Sequence, residues 1–97
     1  MERYPTEKEE ERIKTWPGDD AEALMEYVHN IWAYADWGWH QRGRWFRIST
    51  AGWSGNESII GALRENFVFW SRCWVLVRRG GHYVFELPEK KKEEDDE

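Results

Sequence analysis

Between Ser49 and Glu57 the sequence reads STAGWSGNE, two glycines and three small hydroxyl residues leading into an apolar pattern of helical period. The first backbone N–H groups of a helix have no intrahelical partner, and with the aligned peptide dipoles behind them they attract phosphate or carboxylate. Trp53, inside the same turn, offers an indole face to a base or ring. Thr50, Gly52, Trp53, Ser54, Gly55, Asn56 and Glu57 therefore make the first candidate site, for an anionic ligand. It is not a nucleoside-triphosphate loop, because the G-x-x-x-x-G-K-[ST] spacing is missing and no lysine follows the second glycine. A plainer role competes: Gly52 and Gly55 permit left-handed backbone, Ser54 caps the helix, and Glu57 at the third helical position reaches back to complete a capping box.

The second candidate is Arg78-Arg79-Gly80-Gly81-His82-Tyr83. Two glycines between apolar runs mark a tight hairpin, which gathers two guanidinium groups, an imidazole and a phenol that can clamp an anion or meet a partner protein. An exposed turn with solvated arginines is the simpler alternative.

Catalysis has little to work with. His29, His40 and His82 are isolated in the sequence, Ser54 lacks the G-x-S-x-G frame, and Cys73 sits in an apolar run where a thiol is a poor nucleophile. A small hydrolase would need His82 to meet Glu57 or Glu86. No H-x-x-x-H, paired cysteines or acidic calcium loop is present, so neither metal nor cofactor is expected. Arg44-Trp45-Phe46-Arg47 interleaves cations with rings in the manner of single-strand nucleic-acid binders.

The charge balance argues against that last reading. The 97 residues carry 14 Lys and Arg against 19 Asp and Glu, a formal charge of -5. Residues 1–19 and 89–97 hold all of the excess acid, and the stretch between them is neutral. Phosphate neutralisation dominates nucleic-acid affinity, and a neutral core has no spare cation to supply. Every cation in residues 20–88 is an arginine, which pairs bidentately and stacks on rings, and eight tryptophans exceed what a core of this size needs. The composition suits a recognition surface, and so many indoles on a small body leave self-association open.

The elements that position these groups read as follows. Thr6 with Glu9 forms a capping box for a charged helix that ends near Thr15, before Trp16-Pro17-Gly18, and docks through Ile13. Asp19 with Glu22 opens the strongest helical pattern, Leu24, Tyr27, Val28, Ile31, Trp32 and Ala35, closed by Gly38. Arg44 to Thr50 alternates with period two, Phe46 and Ile48 inward. A third helix carries Ile59, Ile60, Leu63 and Phe67. Arg72 to Arg79 reads as a central strand covered on both faces, and His82 to Leu87 as its hairpin partner. The order α-α-β-α-β-β gives an α+β fold, a three-stranded mixed or antiparallel sheet covered by helices. Residues 1–88 form one domain, the segment 1–18 being a charged helix docked on it, and residues 89–97 a disordered charged tail. One cysteine, no apolar stretch near 18 residues and no signal pattern point to the cytoplasm, with no membrane partner.

The strings YPT, ERI and TWP within Tyr4 to Pro17, YADWGW at Tyr34 to Trp39, STAGWSGNE at Ser49 to Glu57, FWSRCW at Phe69 to Trp74 and RRGGHYVFE at Arg78 to Glu86 resemble a group of small uncharacterised proteins of tailed bacteriophages and prophages. The likeness spans nearly all of residues 4–88. It implies a phage accessory protein in the infected host's cytoplasm, with antagonism of host defence a frequent role in that setting. It implies no mechanism. The expectation is a non-enzymatic protein that binds a host protein or an anionic, nucleotide-like small molecule.

Overall fold

A computed structural model describes residues 4–89, and the element order is α1 (Glu7–Thr15), α2 (Ala21–Ile31), α3 (Ala35–Gly38), β1 (Trp39–Arg42), β2 (Trp45–Ser49), α4 (Ser54–Glu65), α5 (Phe67–Cys73), β3 (Trp74–Arg78) and β4 (His82–Glu86). The four strands form one antiparallel sheet in the order β1-β2-β4-β3. The fold is α+β, with α1, α2, α4 and α5 packed on one face of the sheet. Residues 90–97, where most of the expected disordered tail falls, lie outside the described residues.

The apolar pattern determines which face of the sheet is covered. Phe46 and Ile48 of β2 and Phe85 of β4 point to one side and pack against Ile13 of α1, Leu24, Met25 and Val28 of α2, Ile59, Ile60 and Leu63 of α4, and Phe69 of α5. Each fully buried aliphatic or aromatic side chain is worth roughly 1.5–3 kcal/mol. In α1 that contribution falls chiefly on Ile13, the only buried residue of a helix that is otherwise charged. The helix start is as read: Thr6 accepts from the Glu9 amide and Glu9 accepts from the Thr6 amide.

Three elements depart from the sequence reading, and two of the departures trace to buried asparagines. The second helix ends at Ile31 instead of running to Gly38. Asn56 takes both backbone groups of Ala33, accepting from its N–H and donating to its carbonyl at 2.9 Å each, which replaces the helical bonds that Ala33 would otherwise make. Tyr34 follows in left-handed backbone at φ 61°, and the chain turns into the short α3 and then β1, a strand that the sequence reading does not contain. That strand makes the sheet four-stranded instead of three.

The third long helix stops at Asn66, and a separate helix, α5, occupies residues assigned to the helix end and to the start of the next strand. The Asn66 side chain accepts from the Phe69 amide and donates to the carbonyls of Ile13 and Trp16, so it starts α5 while closing the end of α1. Phe67, expected inside, is 78% exposed because it sits at the outer start of α5.

The strand expected at the centre lies at the edge. Every residue of β3 is exposed, since β4 inserts between β2 and β3. Both β2 and β3 run antiparallel to β4, so they share a direction without touching, and no parallel ladder forms. A register shift between Trp74 and Leu76 bulges this edge, one of the devices that blunts strand-to-strand association. The hairpin between β3 and β4 is present, with a loop of three residues, Arg79, Gly80 and Gly81, the glycines at φ 91° and 81°.

Candidate functional site

The two candidate segments lie side by side. The Thr50 amide donates to the Gly81 carbonyl at 3.0 Å, Ser49 Oγ sits 2.6 Å from His82 Nδ1, and a Cβ on Gly81 would collide with the Thr50 hydroxyl. Thr50 and Gly81 are therefore in direct contact, backbone to backbone and hydroxyl to Cα.

The turn itself is occupied by its own side chains. Its chain reversal is a tight turn from Thr50 to Trp53, closed by the Trp53 amide donating to the Thr50 carbonyl, with Ala51 at φ 58° and Gly52 at φ 70°. Thr50 is 1% and Asn56 0% exposed; the Gly52 amide donates to the Thr50 hydroxyl, and Asn56 is engaged with Ala33 and the Thr50 carbonyl. The capping residue of α4 is Trp53, not Ser54, and no side chain caps the helix. Ser54 is the first helical residue, and its hydroxyl meets the Tyr4 phenol at 2.8 Å. Gly55 is needed for space instead of backbone freedom, because a Cβ there would strike the Trp53 indole nitrogen. Tyr4 stacks on Trp53 at 4.8 Å between centroids, and the buried indole N–H has no acceptor among the described residues. Indole and phenol thus lie over the first turn of α4, where the sequence reading puts an incoming anion. Gly52 and Glu57 remain at the surface.

The hairpin residues divide by face. Arg78 and His82 pair across β3 and β4 and point away from the helices, Arg79 is exposed in the loop, and Tyr83 turns to the helical side, where its ring stacks with Phe85 at 6.4 Å. His82 lies beside Ser49, while Glu86 is bound to Arg44 at 3.1 Å. Since His82 and Glu86 are four residues apart on one extended strand, about 13 Å, that acid–base pair is not assembled.

The residues brought together are those of the uncovered face of the sheet. Register places them in three rows, the first holding Arg42, Trp45 and Glu86 and the second His40, Arg47, Val84 and Leu76. The third holds Ser49, His82 and Arg78. Shallow grooves of about 520 and 500 Å³ run over this surface, lined by His40, Arg42, Trp45 and Arg47 and by Arg47, Leu76, Arg78 and His82. Glu86 is the one carboxylate among the strand residues of the face, and Arg44 neutralises it while also donating to the Leu87 carbonyl at 2.7 Å. The His40 Nε2 lies 2.9 Å from the Trp37 carbonyl, which can only accept, so the proton sits on Nε2.

Sequence reasoning missed His40 and Arg42 because it missed β1. Trp45 and Arg47 were visible as an interleaved pair but were set aside on net charge. That objection weakens once the acids are placed: of the seven in residues 20–88, Asp20, Glu22, Glu26, Asp36, Glu57 and Glu65 lie on or beside the helices. A neutral count conceals a segregated surface.

Burial pushes the Cys73 thiol up from 9.0 to about 11, against an opposing pull from Arg72. It is 1% exposed and in its thiol form at neutral pH, which is unsuited to nucleophilic chemistry. Among the described residues no cluster of His, Cys, Asp and Glu could hold a metal ion, and no helix is long and apolar enough to cross a membrane. No family model matches this chain, and no curated protein or solved structure matches it significantly.

Proposed function

We propose that this chain is a non-enzymatic binding protein whose working surface is the open face of the sheet and whose partner presents negative charge. The supporting observation is that Arg42, Arg47 and Arg78 share with His40 and His82 one face whose only strand carboxylate is already paired. The Thr50–Glu57 turn serves this reading as scaffold, holding the β2 end against the hairpin so that Ser49, His82 and Arg78 share a row. With the resemblance to phage proteins, we place the activity in an infected host, where occupying an anionic host component would be the accessory role.

The net charge makes the test sharp. A protein of formal charge -5 and isoelectric point near 5.2 is repelled on average by an anionic resin at pH 7. Retention on phosphocellulose at about 50 mM salt would have to come from a local patch. We expect retention, and elution at lower salt for Arg47→Ala and Arg78→Ala. Passage of the unaltered protein straight through the column would refute the reading.

A further inference from the structure

Each of the three rows on the open face carries one arginine and one flat ring: Arg42 with Trp45, Arg47 with His40, and Arg78 with His82. Successive rows lie two residues apart along the strands, about 6.6 Å. The arginines occupy β1, β2 and β3 in turn, so the track crosses the sheet diagonally from the turn between β1 and β2 towards the hairpin between β3 and β4. A lone small anion would need these groups to converge on one point. Here they repeat, and no row closes around a cavity.

Resting on the reading that the open face takes an anionic partner, we propose that the partner is single-stranded nucleic acid, lying across the rows with its phosphates on the arginines and its bases against Trp45 and the imidazoles. A repeating anion-plus-ring surface complements a polymer whose repeat is a phosphate and a base. Trp45 is 41% exposed and presents its ring on the open face of the sheet, an arrangement in which bases stack without a sequence requirement. Arginine suits both halves of the repeat, because its planar fork pairs with phosphate and its face stacks on bases. A duplex is the poorer fit: its bases are already stacked and could not reach the ring row.

The test uses the full chain and two polyanions of matched charge, a fluorescein-labelled oligothymidylate of twelve nucleotides and inorganic polyphosphate, followed by anisotropy and by competition. The oligonucleotide should bind more tightly than polyphosphate competes, and a mononucleotide should not compete at all. Trp45→Ala should weaken oligonucleotide binding by about tenfold or more while leaving polyphosphate competition unchanged, since one base stack contributes that much. Arg47→Ala should weaken both. Circular dichroism of each variant checks that the fold is kept, as both side chains are exposed. Equal affinity for the two polyanions with no effect of Trp45→Ala overturns the nucleic-acid assignment but leaves the charged face standing. Tight binding of the mononucleotide overturns the polymer, and no binding of either polyanion overturns both proposals.

Discussion

At the scale of single residues, the fold depends on polar side chains that pattern analysis does not weight. Asn56 was visible as part of a candidate ligand loop, and its true work, holding Ala33, could not be read because the partner lies 23 positions away and offers only backbone. Asn56→Ala would leave the buried Ala33 N–H and carbonyl without partners, at about 1–3 kcal/mol each. In a domain whose total stability is of order 5–15 kcal/mol, urea denaturation should show a loss of roughly 2–6 kcal/mol. Asn56→Asp should not rescue it, because a carboxylate cannot donate to the Ala33 and Thr50 carbonyls. Ala51 gives the opposite sign. It is exposed at φ 58°, where an L side chain costs about 1 kcal/mol, so Ala51→Gly should be neutral to stabilising despite the added chain entropy of glycine. Cys73 supplies a pH test. Its folded value lies above its ordinary one, so the unfolded chain gives up the proton first, and the stability it contributes is full below pH 9 and falls between 9.0 and about 11. Cys73→Ser should flatten that part of the stability profile, and the wild-type thiol should resist alkylation at pH 8 until the protein is unfolded.

Elements were legible where periodicity and caps agreed, and illegible where tertiary contacts cut a pattern short. The Thr6–Glu9 box, the alternation of β2 and the glycine hairpin all rest on neighbours in sequence, and all three are present. The apolar run from Cys73 to Val77 has the composition of a covered strand, yet β3 is an edge, because a five-residue apolar run cannot say on which side its hairpin partner will add. The same chain reversal gives a prediction for the hairpin. Gly81 has φ 81°, and a Cβ there would meet Thr50, whose amide bonds the Gly81 carbonyl. Gly81→Ala therefore combines a backbone and a packing cost of about 1–3 kcal/mol. Gly43, also at positive φ but with open space around it, should lose only the backbone part when replaced by alanine. Comparing the two thermal midpoints separates close packing from conformation, and equal losses would mean that the contact with Thr50 contributes nothing.

For the whole molecule the question is how an acidic protein presents a basic face. Summed charge misleads here because the face draws on three arginines while most carboxylates of residues 20–88 ride on the helical side and the excess acid sits near the two ends of the chain. At 0.15 M salt the screening length is about 8 Å, so a partner lying on the sheet feels Arg42, Arg47 and Arg78 strongly and the far carboxylates weakly. At 0.01 M that length grows to about 30 Å, which exceeds the shorter extents of the body, 26 and 22 Å, and the distant acids then count. Affinity for an oligonucleotide should thus rise less on lowering the salt than counterion release from the face alone would give. Replacing Glu93, Glu94 and Glu97 by Gln and Asp95 and Asp96 by Asn takes the formal charge from -5 to zero and changes no residue of the sheet. That variant should bind more tightly than the unaltered chain at 0.01–0.05 M salt, and the two should converge near 0.3 M as screening removes the long-range term. A gain that persisted undiminished at high salt would mean that these carboxylates compete for the arginines by direct contact instead of acting through the mean field.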